Sequence, residues 1–276
     1  AQCIIKTQLA LSHKQAEKAS IILIEEPESH LSFSRLSELM GVIEKAASGR
    51  QIIASTHSSF VANKLGLENL ILLSDNNCCS MQSLKKETFG FFKKVAGYDT
   101  LRLILCKKSI LVEGDSDELV VQRAYMDTHE GRLPIQDGID VMTVRGVTFK
   151  RYLEIARILN KETAVVTDND GNIEAVKKKY KEYEKIPFIH ICVDEVVDTG
   201  DLKLSGKDFN YNTLEPKILK ENGLEVMNNI FGTKYDTDDE MHKYMHAHKT
   251  DCAIAIFESA TKIKYPEYIM RALKDE

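Results

Sequence analysis

Short apolar runs alternate with amphipathic stretches in the first third of the chain, and this pattern predicts alternating strands and helices. Three strands are predicted at residues 21–24, 51–54 and 69–73, and the first of these is a continuous apolar run of the fully buried, parallel type. The helix after the first run is predicted from apolar side chains that share one face, namely Leu36, Leu39, Met40 and Ile43. Gly49 is expected to close this helix, and residues 8–18 also have a helical pattern. This alternation predicts an α/β fold.

The same alternation returns after a less regular stretch at residues 75–105. Four further strands are predicted at residues 109–113, 139–144, 163–167 and 188–193. The helices predicted between them begin near Ser116 and then span about 148–160 and 173–185. After a loop at 198–210, short helices are predicted at 213–222, 238–246 and 251–262. We therefore predict a partial first sheet in residues 1–80, a junction at 81–107, and a second domain at 108–276 with a central parallel sheet and a small helical C-terminal region.

The composition limits the classes of protein that fit. The chain has 276 residues, of which 43% are hydrophobic and 29% charged, as in soluble globular proteins. No apolar run reaches the roughly 18 residues that a membrane helix needs, so no membrane partner is expected. The six cysteines include no C-x-x-C pair, which favours a reducing, cytoplasmic setting. Because the chain starts at Ala1 and shows no signal peptide, we expect a fragment or a processed chain.

Acidic residues follow two of the predicted strands. Glu113 and Gly114 end the strand at 109–113, with Asp115, Asp117 and Glu118 close behind, and the strand at 163–167 leads into the run Asp168-Asn169-Asp170-Gly171. Parallel strands end at the same edge of a sheet, where such folds bind ligands. Carboxylates gathered there repel one another unless a cation is present. The pattern predicts a Mg²⁺ or Mn²⁺ site for phosphoryl transfer.

A second acidic strand end lies near the start of the chain. The run at 21–24 leads into Glu25 and Glu26, and a later strand ends near His57. This arrangement resembles the Walker B strand and switch histidine of ATP-binding-cassette ATPases, in particular the RecF-like and OLD-like branch. The resemblance implies that Glu25 holds a metal ion, that Glu26 orients the attacking water, and that His57 reaches the γ-phosphate of ATP. The alternative interpretation is a surface turn of acids and an ordinary loop histidine.

The phosphate-binding loop of such ATPases is missing from this sequence. No G-x-x-x-x-G-K-[ST] motif occurs, and the segment Ser205-Gly206-Lys207-Asp208 lacks both its upstream glycine and its terminal hydroxyl residue. The chain alone is therefore not expected to hydrolyse ATP. Either the first half of the ATPase belongs to a longer protein, or the half-site is vestigial.

The acids of the second domain resemble the Toprim domain of topoisomerases, primases and OLD-family nucleases. That family has a Glu-Gly after its first strand and an Asp-x-Asp after its third, which here are Glu113-Gly114 and Asp168-Asn169-Asp170. The resemblance implies that Glu113, Asp117, Asp168 and Asp170 bind metal ions, with Glu113 also helping to handle a proton. Two cations about 4 Å apart would clamp the attacking and leaving oxygens of a phosphodiester. Asp115 has the alternative role of capping the helix, and Glu118 is interpreted as a first-turn acid.

Two later segments resemble the OLD-type version of this domain. Glu215, within Asn212-Thr213-Leu214-Glu215-Pro216, matches an acid that approaches the metal site, although Asn212 and Glu215 could instead form a capping box. Lys249 matches a lysine that stabilises the transition-state phosphate, and its alternative is a solvated lysine at a helix start. Three histidines lie shortly before Lys249, namely His242, His246 and His248, and for them an exposed polar helix is predicted rather than a zinc site.

Half an ATPase followed by a Toprim domain resembles the OLD family, including its single-chain anti-phage branch. The resemblance implies a Mg²⁺- or Mn²⁺-dependent endonuclease that cleaves double-stranded DNA and is regulated through ATP. It also implies a dimer or tetramer formed through the ATPase part and a UvrD-like helicase partner. Two alternatives remain open: a module that senses nucleotide or metal without cleaving DNA, and another Toprim activity of the topoisomerase or primase kind.

Overall fold

The computed structural model describes residues 21–46, 50–74, 77–94, 100–144 and 148–274. The chain divides into two compact units between Leu105 and Cys106. The helix predicted at 8–18 and the helix end predicted at Gly49 lie outside the described residues. The predicted fold class, a mixed α/β chain with a central parallel sheet and a helical C-terminal region, is confirmed.

The first unit is built around a pair of parallel strands. Strand β1 (Ile21–Glu25) pairs with β2 (Gln51–Ser55), and helix α1 (Phe33–Ala46) connects them. The apolar face predicted for α1 forms the core together with Val61 of helix α2 (Ser59–Leu65). Side chains of β1 alternate between exposed and half-buried, because successive residues of a strand point to opposite faces. The prediction that both faces of this strand are buried was wrong.

The rest of the first unit differs from the prediction. Strand β3 (Ile71–Ser74) forms an antiparallel ribbon with β4 (Asn77–Ser80), a strand that lies in the stretch at 75–105 predicted to be less regular. Two helices follow in the stretch predicted to be a less regular junction, α3 (Lys86–Lys94) and α4 (Thr100–Leu105). Phe92 of α3 is almost fully buried, so aromatic side chains without a clear helical period are nevertheless packed on a helix.

The second unit begins with a four-stranded parallel sheet. Its elements in chain order are β5 (Lys108–Val112), α5 (Asp115–Thr128), β6 (Ile139–Thr143), α6 (Phe149–Leu159), β7 (Glu162–Val166), α7 (Ile173–Tyr180) and β8 (Ile189–Cys192). The strands lie side by side in the order β6-β5-β7-β8. Every residue of β5 is buried, as expected for an inner strand covered on both faces.

The strand order fixes where a ligand can bind. After β5 the chain continues to β6 on one side, whereas after β7 it continues to β8 on the other. Strands β5 and β7 are neighbours, so their outgoing connections diverge and leave a crevice at their carboxyl ends. This switch point is the usual ligand site of open α/β sheets. The two predicted acidic segments both lie there, since Glu113 follows β5 and Asp168 follows β7.

Helices dominate the C-terminal part of the second unit. A small hairpin, β9 (Lys203–Leu204) with β10 (Lys207–Asp208), lies within the segment predicted as a loop. It precedes the helices α8 (Leu214–Phe231), α9 (Asp238–Ala247), α10 (Lys249–Glu258) and α11 (Glu267–Leu273). Helix α8 is longer than predicted: it is interrupted at Gly223, with φ 77°, and a second helical segment continues to Phe231. Helix α11 was not predicted. Within the described ranges, no helix has the length and apolarity to cross a membrane.

Candidate metal centre

The turn after β5 places two carboxylates side by side. The backbone N–H of Gly114 donates a hydrogen bond to Asp117 Oδ2 at 3.0 Å, which closes the first turn of α5 and fixes Asp117 close to Glu113. Asp115 is the first residue of the helix and not its cap, so that alternative was wrong. Glu118 accepts hydrogen bonds from Thr143 Oγ1 at 2.8 Å and Gln122 Nε2 at 3.2 Å, as a first-turn acid held by its neighbours.

The turn after β7 brings in two more acids. The Thr167 hydroxyl donates a hydrogen bond to Glu113 Oε1, which links the ends of the two neighbouring strands. Asp170 and Gly171 both have left-handed backbone conformations, with φ 47° and 77°, so the chain reverses sharply here. Asn210 Nδ2 donates to Asp170 Oδ1 at 2.8 Å, and this contact holds the outer acid of the pair at the edge of the site.

Helix α8 supplies a fifth acid and α10 a cation. Glu215 is only 7% exposed, and its Oε2 accepts hydrogen bonds from Lys249 Nζ at 3.1 Å and from Thr213 Oγ1 at 3.2 Å. The capping box proposed for Asn212 does not form, because the Asn212 side chain bonds the backbone of Asp198 instead. Lys249 is both the first residue of α10 and a contact of the carboxylate cluster.

Burial and neighbouring carboxylates raise the pKa values of two of these acids, Asp117 and Asp168. The pKa of Asp117 is raised to about 7, mainly by burial and also by Glu215 and Glu113, while the Gly114 N–H and Lys249 partly oppose this. Burial likewise raises the pKa of Asp168 well above its usual range, with added repulsion from Asp117 and Glu113. Such mutual repulsion in a buried site is relieved by protons or by a cation.

The donor set suits a hard divalent cation. All of the candidate ligands are carboxylates, which Mg²⁺ and Mn²⁺ prefer. Within the described part of the chain, however, no three His, Cys, Asp or Glu side chains are arranged so as to hold a metal ion. Hydrogen bonds explain part of this: Glu113 is turned to Thr167, Asp117 to the Gly114 N–H and Glu215 to Lys249. The residues fit the cation in charge and chemistry, and binding requires that these bonds be exchanged.

Comparison with protein families bears on this cluster. Residues 104–170, which contain both acidic strand ends, match the family model described as "Overcoming lysogenization defect protein-like, TOPRIM domain". This segment is an OLD-like Toprim domain. Residues 5–63 match a second model, an AAA domain described for the AbiEii toxin of type IV toxin–antitoxin systems. The family resemblance inferred from the sequence is therefore confirmed.

Individual relatives match more of the chain. Endonuclease GajA of Bacillus cereus (strain VD045) is 23% identical over 265 residues, which is 91% of this chain and 45% of GajA. The chain therefore spans less than half the length of that relative. It is also similar to the C-terminal region of the Xanthomonas campestris pv. campestris OLD protein, in the structure phased with platinum. The sequences are 21% identical, the match covers 62% of this chain and 92% of that chain, and the TM-score is 0.41. For the structure of the same region phased with iodine, the sequences are 20% identical, the match covers 61% of this chain and 92% of that chain, and the TM-score is 0.40.

Sequence reasoning missed several polar residues that shape the Toprim site. Thr167 donates a hydrogen bond to the Glu113 carboxylate, and Asn169 donates one to the Asp194 carbonyl oxygen. Lys217 is a buried cation, and Tyr268 is buried close to the acids. Burial raises the pKa of the Tyr268 hydroxyl, and repulsion from Asp168 and Asp117 raises it further. Of these, only Asn169 carried a signal in the sequence, since it separates the two acids of the Asp-x-Asp motif.

The histidines of α9 pack with aromatic side chains. The His242 ring lies 5.1 Å from that of Phe209 and 5.3 Å from that of Tyr211, measured between centroids. Burial lowers the pKa of His242, which is consistent with a neutral imidazole in this aromatic setting. His242 is thus buried, unlike the exposed position predicted for it, while His246 and His248 are exposed.

The first unit brings together two of its three candidate residues. His57 Nε2 lies 3.2 Å from Glu26 Oε1, so the histidine after β2 meets the second acid after β1. Glu25 is the exposed last residue of β1. A fourth residue organises this edge: Glu28 Oε1 accepts hydrogen bonds from Thr56 Oγ1 at 2.6 Å and from the His57 N–H at 2.8 Å. Sequence reasoning gave Glu28 no role.

Proposed function

We propose that this chain is the catalytic part of a divalent-metal-dependent DNA endonuclease of the OLD family. The observation that carries the proposal is the cluster of Glu113, Asp117, Asp168 and Glu215, in which burial and the neighbouring carboxylates raise the pKa values of Asp117 and Asp168. A cluster of this kind at the switch point of a parallel sheet is suited to holding Mg²⁺ or Mn²⁺. The match to an OLD-like Toprim model and the similarity to Endonuclease GajA support DNA as the substrate.

Each acid has a proposed role in binding the cation. Glu113, Asp117, Asp168 and Glu215 hold it from within the crevice, and Asp170 contributes from the edge. When bound, the cation supplies Lewis-acid activation of the phosphodiester and charge neutralisation at its oxygens. Glu113 also handles a proton at its carboxylate, next to the Thr167 hydroxyl that positions it.

Lys249 acts on the substrate rather than on the cation. Its ammonium lies 3.1 Å from Glu215, and Lys249 is one of residues 246–251, which line an open surface depression of about 330 Å³. A phosphate bound in this depression meets the positive charge of Lys249, which stabilises the negative charge that develops during cleavage. Lys249 is 43% exposed and therefore free to reach a ligand at the surface.

For the first unit we propose a regulatory ATP site completed by a phosphate-binding loop elsewhere in a longer protein. Glu25 holds the Mg²⁺ that accompanies ATP, Glu26 orients water, and His57 senses the γ-phosphate. The contact between Glu26 and His57, and the match of residues 5–63 to an AAA domain model, support this proposal. We further propose a cytoplasmic anti-phage role, a dimer or tetramer formed through the ATPase part, and a UvrD-like helicase partner, as the family resemblance implies.

Nicking of supercoiled plasmid tests the proposed activity. We expect the chain to convert supercoiled DNA into open circles with Mn²⁺ or Mg²⁺ and not with EDTA. Glu113→Gln and Lys249→Met should abolish nicking, whereas the exposed control substitutions Glu221→Gln and Lys262→Met should not. Nicking that persists in Glu113→Gln would refute the site. No nicking by the unmodified chain would instead favour a sensor that binds metal or nucleotide without cleaving DNA.

A further inference from the structure

A buried lysine lies behind the carboxylate cluster. The Lys217 side chain is 4% exposed, and its ammonium lies 2.6 Å from Asp194 Oδ2 and 2.7 Å from Asp198 Oδ2. It also donates a hydrogen bond to the carbonyl oxygen of Val196 at 2.9 Å. Lysines are seldom buried unless they are paired, and this one binds three oxygens of a single loop, residues 194–198. We call this segment the 194–198 loop.

Asn169 connects the same loop to the acids. It is 1% exposed, and its Nδ2 donates to the carbonyl oxygens of Asp194 at 2.7 Å and Val196 at 3.0 Å. The Val196 oxygen therefore accepts hydrogen bonds from both Lys217 and Asn169. On its other side, Asn169 Oδ1 accepts a hydrogen bond from the Gly171 N–H at 2.8 Å. The residue between Asp168 and Asp170 is thus held by the loop that Lys217 organises.

Helix α8 carries both Lys217 and the acid Glu215. Residues two apart on an α-helix point about 200° away from each other. Glu215 accordingly contacts Lys249 at the carboxylate cluster, while Lys217 reaches the 194–198 loop. Lys217 therefore links the helix that supplies Glu215 to the turn that supplies Asp168 and Asp170.

We propose that Lys217 is a positioning residue for the metal centre. Through Val196 and Asn169 it sets the spacing between Asp168 and Asp170 on one side and Glu215 on the other. The part of this proposal that concerns metal affinity rests on the proposed function. The link from Lys217 through the 194–198 loop to Asn169 does not. Residues behind the ligands of a metal site often change its affinity by about 10- to 100-fold when they are replaced.

The test compares Lys217→Met with two matched variants of the full 276-residue chain. Lys217→Arg keeps the cation and should rescue the effect. Lys108→Met removes another buried lysine, one whose Nζ donates to the Lys274 carbonyl at 2.6 Å at the start of β5, at the opposite end of the strand from Glu113. Asp198→Asn, at a carboxylate that is 23% exposed, provides a milder change should Lys217→Met fail to fold. Circular dichroism confirms folding of each variant.

Two measurements then separate positioning from general stability. Without metal, hydrogen exchange at Gly171 and Asn172, whose N–H groups bond Asn169, should accelerate in Lys217→Met and Asp198→Asn but not in Lys108→Met. With Mn²⁺ titrated by electron paramagnetic resonance, Lys217→Met should bind about 10-fold more weakly or worse, and Lys217→Arg within about threefold of the unmodified chain. Unchanged exchange at 171–172 in both Lys217→Met and Asp198→Asn would overturn the connection. Failure of the unmodified chain to bind Mn²⁺ would overturn the proposed function, and the exchange result would still decide the role of Lys217.

Discussion

Lys249 Nζ of helix α10 lies 3.1 Å from Glu215 Oε2 of helix α8, although the two residues are 34 positions apart in the sequence. In this arrangement the ammonium group of Lys249, which is proposed to stabilise the substrate phosphate, is bound to Glu215, one of the proposed metal ligands. If Glu215 holds a divalent cation, as proposed, Lys249 would lose this partner and would be available to a substrate phosphate. In the proposed mechanism the divalent cation would therefore bind before Lys249 contacts the phosphate.

Lys249→Met should separate substrate stabilisation from metal binding. We expect plasmid nicking to fall about 100-fold or more, the usual loss when a group that stabilises transition-state charge is removed. Mn²⁺ affinity should be unchanged or tighter, because a positive charge next to Glu215 is lost. Single-turnover nicking and Mn²⁺ titration measure the two effects. A variant that loses both activities in parallel would show that Lys249 builds the metal site instead.

The pKa of Asp117, raised to about 7, predicts how metal binding depends on pH. Below that pH the metal-free carboxyl is protonated, and a cation must displace the proton in order to bind. Mn²⁺ affinity should therefore rise as the pH rises through about 7, by up to about tenfold per pH unit for the proton that Asp117 releases. Calorimetric titrations at pH 6 and pH 8 in buffers of different ionisation enthalpy measure the released proton. Equal affinities at both values would contradict a role for Asp117 as a ligand.

The sequence predicted those parts of the site that depend on neighbouring residues. A strand that ends in an acid and a glycine places its carboxylate at the sheet edge, and this held for Glu113 and Asp168. Contacts that depend on tertiary packing carried no such signal. Lys217 is a charged residue on a helix, which by default is exposed, yet its side chain is only 4% exposed because it bonds the 194–198 loop.

The first unit shows a different limit. A continuous apolar run predicts a strand buried on both faces, but Leu23 of β1 is 75% exposed. Apolar composition cannot reveal which face is covered, because every position of such a run looks alike. In the same way, β4 lacks an alternating apolar pattern, and only its pairing with β3 makes it a strand.

Asp117→Asn should stabilise the metal-free chain at alkaline pH. The folded pKa lies above the ordinary value of 3.8, so the folded state holds the proton more tightly and loses stability as pH rises from about 4 to 7. Asparagine carries no such charge, and its oxygen can still accept the Gly114 hydrogen bond. We expect the free energy of unfolding to rise by about 1–4 kcal/mol at pH 8, with little gain at pH 4. Urea unfolding at both pH values measures this, and an equal gain at each would point to a cause other than charge.

Glu28→Ala should loosen the edge of the first unit that carries His57. Glu28 Oε1 accepts the hydrogen bonds of Thr56 Oγ1 and the His57 N–H, so its removal leaves two donors without their acceptor. We expect a loss of about 1–3 kcal/mol in local stability. Glu28→Gln retains an acceptor oxygen and serves as the matched control. Hydrogen exchange across residues 55–58 should accelerate in Glu28→Ala and stay close to the unmodified rate in Glu28→Gln. If both variants exchange at the unmodified rate, the contacts of Glu28 do not hold this edge, and His57 is positioned by its contact with Glu26 instead.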